Sequence, residues 1–293
     1  MTQPDPASDA PIERETEFPL SRKEFDFLAA LVYEQTGIVL GENKRNLLYS
    51  RLARRIRALR MNSFREYCDL LGTPEGASEM PQLINAVTTN LTKFFRENHH
   101  FEHLRSVVIP ALFAPGRRGA RIRIWSAGCS SGQEPFSIAM TLAAAVPDLA
   151  SWNCRILATD LDSNMIARCS AGRYNEKETE SIPTDLRKKY MERERGESHL
   201  TFSTAIRKLI TFKQLNLLDR WPMTGPFDAV FFRNVLIYFD VETQRQILNR
   251  MYGLIAPEGF LYAGHSENLS RVTDHFSLIG QTIYHRVPTE RVS

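Results

Sequence analysis

The segment Trp125-Ser-Ala-Gly-Cys-Ser-Ser-Gly-Gln-Glu134 decides the fold of this chain. It follows Arg121-Ile-Arg-Ile-Trp125, which alternates as a β-strand does, and it precedes an apolar stretch that predicts a helix through Ile138 and Ala145. Small residues between a first strand and a helix let the main chain approach a ligand closely. Many α/β domains have such a turn, so the segment alone leaves ligand binding and a simple tight turn equally open.

Asp160 follows the next predicted strand, Cys154-Arg-Ile-Leu-Ala158, where an acidic residue commonly accepts hydrogen bonds from ribose hydroxyls. The glycine loop lacks a complete G-x-G-x-x-G pattern, including the glycine that lies under a pyrophosphate. This favours S-adenosylmethionine, a nucleoside without a diphosphate, and disfavours a nicotinamide-dependent oxidoreductase. We expect Glu134 to meet the cationic part of such a ligand. The alternatives are a turn or N-cap role for Asp160 and an interaction of Glu134 with the helix dipole.

Strands and helices alternate after residue 120. Phe227-Asp-Ala-Val-Phe-Phe232 and Phe260-Leu-Tyr-Ala263 are predicted strands, with a helix from about Val241 to Ile255 between them. This alternation predicts a parallel sheet with helices on both faces. Before residue 120 only helices are predicted, and Leu200-Thr-Phe202 and Leu209-Ile-Thr-Phe212 are predicted as strands of a small antiparallel excursion.

Three further segments complete a set of four motifs. They are Thr88-Thr-Asn-Leu-Thr-Lys-Phe-Phe-Arg-Glu97, Phe232-Arg-Asn-Val-Leu-Ile-Tyr-Phe-Asp240 and Gly264-His-Ser-Glu-Asn268. Together with the loop at 125–136, they closely resemble the CheR-type chemotaxis receptor (chemoreceptor glutamate) O-methyltransferases, over about residues 20–288. The resemblance implies an α/β fold: a Rossmann-like class I methyltransferase sheet with a small N-terminal all-helical domain and a short antiparallel β excursion.

The expected domain organisation combines this resemblance with composition. Residues 1–17 are acidic, proline-containing and poor in apolar residues, which predicts a disordered tail. Residues 18–89 are expected to form a helical receptor-docking domain. Residues 90–288 are expected to form an S-adenosylmethionine-dependent methyltransferase domain, with a small β-subdomain at about 190–213.

The resemblance also implies an activity and its residues. The activity is transfer of a methyl group from S-adenosyl-L-methionine to glutamate side chains of chemoreceptor cytoplasmic helices. It yields glutamate 5-O-methyl esters for chemotactic adaptation and S-adenosyl-L-homocysteine. Arg96 and Tyr238 match residues beside the methyl group, although spacing alone also fits a core aromatic and a salt bridge to Glu97 or Glu102. The implied cofactor-binding residues are Asn90, Thr92, Arg96, Gly128, Glu134, Asp160, Asn216, Leu217, Arg233 and Asn234.

A basic helix is predicted over Asn43–Arg60, with its apolar residues on one face. The resemblance implies that the helical domain docks onto Glu-rich receptor helices. A solvated basic face is the alternative, and nucleic acid is disfavoured because the helix lacks the set of aromatic residues needed for base stacking. The predicted docking residues are Arg51, Arg54, Arg55 and Arg57.

Composition restricts the remaining classes. The net charge is only +3, no apolar run approaches the roughly 18–20 residues that span a bilayer, and the first residues are no secretory signal. We therefore expect a cytoplasmic protein without membrane insertion, and a monomer. Four widely spaced cysteines are expected to be reduced thiols. No metal site is expected, and an ordinary helix surface is expected for His99, His100 and His103.

Two alternative functions stay open. One is a non-catalytic module that senses S-adenosylmethionine, which the presence of Arg96 and Tyr238 disfavours. The other is a methyltransferase acting on another substrate. A D/N-P-P-Y/F signature after the fourth strand would favour amine methylation, but Asn234-Val-Leu-Ile-Tyr238 contains no proline.

Overall fold

The computed structural model describes residues 17–193 and 196–288, so residues 1–16 of the predicted tail lie outside the described part of the chain. The first helix begins at a capping box, in which the Ser21 hydroxyl accepts from the Glu24 amide and the Glu24 carboxylate accepts from the Ser21 amide. Gly37 ends this helix with a φ of 72°. Four helices form the N-terminal bundle: α1 (Arg22–Thr36), α2 (Arg45–Ala58), α3 (Phe64–Leu71) and α4 (Met80–Val87).

The bundle has its own apolar core. Leu28, Leu52, Ile56, Phe64 and Leu83 are fully buried in it. Leu52 and Ile56 are one helical turn apart on α2, so they lie on the same face, and the arginines between them point elsewhere. Each such side chain contributes about 1.5–3 kcal/mol relative to exposure.

Ten strands lie within the described residues. Seven form the main sheet in the order β6-β2-β1-β7-β8-β10-β9. The first five pair in parallel, whereas β10 pairs antiparallel with both β8 and β9. The other three form a small antiparallel sheet in the order β3-β5-β4. The strands are β1 (Ile122–Ala127), β2 (Cys154–Asp160), β3 (Arg173–Asn175), β4 (Met191–Arg193), β5 (His199–Phe202), β6 (Ile210–Gln214), β7 (Phe227–Phe232), β8 (Ile255–Ala263), β9 (Phe276–Gly280) and β10 (Ile283–Arg286).

Both faces of the main sheet are covered. On β7, Ala229 and Phe231 belong to one apolar cluster, while Val230 and Phe232 belong to a second cluster on the opposite face. This two-sided burial explains why β7 is apolar at every position except Asp228, which lies near its beginning and is only partly buried. The remaining helices are α5 (His99–His103), α6 (Ile109–Leu112), α7 (Gln133–Ala145), α8 (Ser163–Ala171), α9 (Thr184–Tyr190), α10 (Thr204–Arg207) and α11 (Val241–Leu254). None of the described helices is long and apolar enough to cross a membrane.

The predicted β excursion needs a correction. Leu209-Ile-Thr-Phe212 does not contribute to it, because β6 pairs in parallel with β2 at the edge of the main sheet, with Ile156 opposite Ile210. The small sheet instead recruits β3, which lies before the predicted range of 190–213. A short apolar run predicts a strand but not the strand that it pairs with. The prediction that segments 200–202 and 209–212 belong to the same small sheet is therefore wrong.

Candidate active site

A cavity of about 270 Å³ opens at the carboxyl ends of the parallel strands, with the N-terminal bundle forming its other side. This is the edge at which ligands of open α/β sheets bind. The structure brings every predicted cofactor-binding residue, and also Tyr238, to the wall of this one cavity. The predicted residues that line it are Asn90, Thr92, Arg96, Gly128, Glu134, Asp160, Asn216, Leu217, Arg233, Asn234 and Tyr238.

The glycine turn after β1 is held close to β2. The amides of Gly128 and Cys129 both donate to the Thr159 carbonyl, at 2.8 and 2.9 Å. Gly128 has a φ of 85°, and a Cβ added there would lie 2.4 Å from Cγ2 of Val235. A larger residue would therefore be strained and would push against the loop that follows β7.

Asp160 lies at the end of β2, beneath this turn. One of its carboxylate oxygens accepts from the Ser130 amide at 2.7 Å and the other from the Asp162 amide at 2.9 Å. Burial raises the pKa of Asp160 to about 6, and the main-chain hydrogen bonds oppose the rise. A carboxylate oxygen has more than one acceptor site, so Asp160 retains the capacity to accept from a ligand.

Glu134, on the first turn of α7, forms a buried charge pair. Its carboxylate accepts from the Ser126 hydroxyl at 2.7 Å and from Nη1 of Arg233 at 3.1 Å. Burial raises the pKa of Glu134, and Arg233 and Ser126 oppose this. Arg233 has only 2% of its side chain exposed, and its Nη2 lies 3.5 Å from Oε2 of Glu97. Its guanidinium is therefore held between two carboxylates.

The linker between the bundle and the sheet is held in place by Asp162, a residue outside the four sequence motifs. Oδ1 of Asp162 caps α8 by accepting from the Asn164 amide at 2.9 Å. Oδ2 accepts from the Thr88 hydroxyl at 2.7 Å and from the side-chain Nδ2 of Asn90 at 2.8 Å. The side chain of Asn90 thus positions the linker along the cavity wall.

The loop after β7 depends on a second carboxylate, Glu267, which is 5% exposed. It accepts from the main-chain amides of Asn234 and Leu236, both at 2.8 Å, and of Gly264 at 2.5 Å. Asn234 has a φ of 59°, a conformation that these bonds help to maintain. Glu267 lies in the Gly264–Asn268 motif, so its position was marked in the sequence but its role was not.

Arg96 and Tyr238 come from separate segments of the chain, and both line the cavity. Nη1 of Arg96 donates to the Leu91 carbonyl at 3.0 Å, and 29% of its side chain is exposed. The Tyr238 carbonyl accepts from the Val39 amide of the bundle at 2.9 Å. Burial raises the pKa of Tyr238, against the effects of Thr89, Arg96 and Arg51. The hydroxyl is therefore protonated at neutral pH and can donate a hydrogen bond.

Asn216 and Leu217 follow β6 on the side of the cavity next to the bundle. The Asn216 side chain donates to the Gln35 carbonyl of α1 at 2.8 Å and accepts from the Leu218 amide at 3.1 Å. The Leu217 carbonyl accepts a hydrogen bond from Nη1 of Arg250 at 2.7 Å. The bundle is therefore hydrogen-bonded to residues of the cavity wall that include Asn216 and Tyr238.

The predicted docking arginines differ in their surroundings. Arg51 is half-buried and donates to the Val87 and Thr88 carbonyls, at 2.7 and 2.6 Å. Arg55 forms a bidentate pair with the buried carboxylate of Glu79, at 2.5 Å for both contacts. Arg57 is exposed and pairs with Glu17, and Arg54 is exposed. Arg51 and Arg55 thus have internal partners, whereas Arg54 and Arg57 face the solvent.

The three histidines do not form an ordinary helix surface. His100 is fully buried against the ring of Tyr262, and burial lowers its pKa to about 2. Glu97, His99 and His100 offer possible ligand atoms within 4.8 Å of one another. However, the Arg233 guanidinium lies 3.5 Å from the same Glu97 carboxylate and would repel a cation. The cluster is therefore better suited to holding Arg233 than to holding a metal.

Two family models match this chain and together cover most of it. The model for the CheR methyltransferase all-alpha domain matches residues 23–88, and the model for the CheR methyltransferase SAM binding domain matches residues 90–285. The chain belongs to the CheR methyltransferase family. The cavity thus lies in a domain that binds S-adenosylmethionine, beside the all-alpha domain of the same family.

Curated relatives agree over nearly their whole length. A probable chemotaxis protein methyltransferase of Rhizobium etli is 45% identical over 87% of this chain and 96% of its own. The chemotaxis protein methyltransferase of Salmonella typhimurium is 40% identical over 90% of both chains. Chemotaxis protein methyltransferase 2 of Pseudomonas aeruginosa is 40% identical over 94% of this chain and 97% of its own. The predicted family is confirmed.

The cavity of this CheR-family protein suits S-adenosylmethionine chemically. Two carboxylates line the cavity together with the Gly128 turn: Asp160 at the end of β2 and Glu134 on the first turn of α7. Asp160 is suited to accept hydrogen bonds from ribose hydroxyls, and Glu134 to meet a positively charged group. Because Gly128 has no side chain, a nucleoside can lie close to the main chain of the turn.

Proposed function

We propose that this chain transfers a methyl group from S-adenosyl-L-methionine to glutamate side chains of chemoreceptor cytoplasmic helices. The products are glutamate 5-O-methyl esters and S-adenosyl-L-homocysteine. The observation that carries the proposal is that Arg96 and Tyr238 both line the cofactor cavity, next to the basic helix α2. The relatives' names, which are those of chemotaxis methyltransferases, support it.

The chemistry needs alignment more than proton transfer. When bound, S-adenosylmethionine supplies a methyl group activated by the sulfonium. A carboxylate oxygen would form a bond to the methyl carbon as the C–S bond breaks, and the electron pair of that bond would stay on the departing thioether sulfur. Glutamate has an ordinary pKa of about 4.3, so its side chain is already ionised at neutral pH and needs no general base. The protein's task is to hold the carboxylate in line and partly desolvated.

Arg96 and Tyr238 are the groups proposed for that task. The Tyr238 hydroxyl stays protonated at neutral pH, since burial raises its pKa, and Arg96 is a cation. Both therefore donate hydrogen bonds to a carboxylate, and neither acts as an acid or a base. Glu267 and Val39 position Tyr238 through the main chain of its loop.

The proposed receptor contact is the exposed side of α2. Arg54 and Arg57 face the solvent there, and an acidic helix is the complementary partner. Arg51 connects this side to the active site, since it lies close enough to lower the pKa of Tyr238 electrostatically while donating to the Thr88 carbonyl. A receptor helix lying along α2 would thus bring its glutamates towards the cavity.

Labelling tests the proposal directly. Purified protein is incubated with methyl-labelled S-adenosylmethionine and receptor cytoplasmic fragments, and the labelled product is then treated with base. Release of the label from the receptor as methanol is the expected result, because methyl esters hydrolyse in base. Cofactor binding without transfer to any receptor fragment would instead support a sensing module or another substrate class.

A further inference from the structure

Three exposed apolar side chains line the cavity beside Arg96 and Tyr238. Val39 is 47% exposed, Leu91 is 84% exposed and Ile237 is 53% exposed, and all three belong to the cavity wall. They come from separate segments of the chain: the loop after α1, the linker after α4 and the 3-10 turn after β7. We name them the apolar rim. The other large apolar residues that are exposed in the described part of the chain do not line the cavity.

The apolar rim is fixed to the two proposed catalytic residues by the main chain. The Val39 amide donates to the Tyr238 carbonyl at 2.9 Å, and the Leu91 carbonyl accepts from Nη1 of Arg96 at 3.0 Å. Ile237 is the chain neighbour of Tyr238 and shares its 3-10 turn. The rim therefore has a set position relative to the groups that would hold the substrate carboxylate.

Exposure of the three apolar side chains of the rim to water is unfavourable in solvation free energy. Scattered exposed apolar residues are normal, but several gathered at one cavity mark a contact site. Cations accompany the rim: Lys44 and Lys93 also line the cavity, and Arg51 acts on Tyr238 electrostatically. The cavity wall thus presents exposed apolar side chains and lysines together.

We propose that the apolar rim is the part of the active site that seats the substrate helix. It receives the apolar residues beside the methyl-accepting glutamate, while the surrounding cations attract the carboxylates. The occupant is therefore an amphipathic acidic helix, whose charge complements Lys44, Lys93 and Arg51. A glutamate carboxylate reaches the cavity interior only if the helix surface closes against the rim, so the contact excludes water from the reacting groups. This inference rests on the proposed function and assigns the residues that select the substrate.

The experiment compares Leu91→Ser with Leu278→Ser. Leu278 is the matched control, since it is 56% exposed on β9 at the far edge of the main sheet. Both variants are assayed for the KM of methyl transfer to a receptor cytoplasmic fragment, and for the S-adenosylmethionine Kd by calorimetry. Val39→Ser is a second rim variant, and circular dichroism verifies that all of them are folded.

We expect Leu91→Ser and Val39→Ser to raise the KM for the receptor by about five- to tenfold, or about 1–1.4 kcal/mol. The cofactor Kd should stay within about twofold, and the rise in KM should persist at high salt because an apolar contact is not screened. Leu278→Ser should match the unchanged protein. A KM for the rim variants equal to that of Leu278→Ser overturns the inference, as does an equal weakening of cofactor binding. If the unchanged protein transfers no label to receptor, the proposed function fails first and the rim assignment with it.

Discussion

The main-chain amide of Ser130 donates a 2.7 Å hydrogen bond to Oδ2 of Asp160, which joins the glycine turn to the end of β2. The bond fixes the direction of the Asp160 carboxylate in the cavity. Burial nevertheless raises the pKa of this group to about 6, so its charge changes close to the physiological range.

This pKa predicts a pH-dependent cofactor affinity. Ribose hydroxyls donate to the ionised carboxylate, so protonation of Asp160 should weaken binding as the pH falls through about 6. Well below that pH, the Kd should rise by up to about tenfold per pH unit. Calorimetric titration of S-adenosylmethionine between about pH 5 and pH 8 measures it. In Asp160→Asn, the pH dependence of the Kd that comes from Asp160 should disappear, and only the dependence that comes from Glu134 should remain. A pH-independent Kd in the unchanged protein would contradict the assignment.

Tyr238→Phe should separate turnover from binding. Loss of one hydrogen bond to a charged group costs about 1.5–3 kcal/mol, so kcat should fall by roughly ten- to a hundredfold. The cofactor Kd should stay nearly constant. Tyr49→Phe is the matched control, because Tyr49 lies in the bundle away from the cavity and packs against Phe64. A comparable loss of cofactor affinity in Tyr238→Phe would show that Tyr238 binds the cofactor instead.

Arg54→Glu should weaken receptor docking. Arg54 is exposed on α2, and reversal of its charge should raise the KM for receptor by about two- to tenfold at low salt. The effect should shrink at high salt, since exposed charges are screened. Arg105→Glu, at an exposed position far along the chain from α2, is the control and should leave the KM unchanged. If the two reversals act equally, α2 is no docking surface.

Arg55→Ala should destabilise the bundle. It removes the bidentate partner of Glu79, which is 5% exposed and also accepts from the Tyr67 hydroxyl at 3.1 Å. An unpaired buried carboxylate costs about 2 kcal/mol or more of unfolding free energy. Urea unfolding measures this, with Arg54→Ala as the neighbour whose loss should cost less than about 0.5 kcal/mol. Equal stability of the two variants would show that the Arg55–Glu79 pair adds nothing.

The motif residues line one cavity because the carboxyl ends of parallel strands meet at one edge of the sheet. Gly128, Asp160 and Arg233 lie at the ends of three different strands, and a parallel sheet brings such positions together whatever their separation in sequence. Local patterns such as the Ser21–Glu24 capping box were also predictable, because both partners lie within one helical turn.

Partners distant in sequence were not predictable. Arg55 belongs to a row of arginines, and nothing in that row distinguishes the one that meets Glu79, 24 residues further on. The burial of His100 was likewise not predictable, because the residues just before it in sequence are polar. The groups that cover it, the Tyr262 ring and the Gln281 carbonyl, lie more than 150 residues further along the chain. The predicted sheet for residues 209–212 was wrong for the same reason. The pairing of β6 with β2 depends on the crossover between the two strands and not on the residues of β6 alone.

The contacts of the bundle with Asn216 and Tyr238 restrict how this family can be recombined. Gln35 and Val39 contribute main-chain groups to hydrogen bonds with the sheet domain, so a hybrid joined at the linker after Val87 keeps these bonds only if the incoming bundle holds the same two positions in place. The geometry of these bonds is set by the turn at Gly37, where an added side chain would lie 3.1 Å from Leu218 and 3.2 Å from Thr243. If the bundle docks the receptor as proposed, an exchange of receptor preference between relatives would need residues 35–40 to be moved together with the loops that they contact.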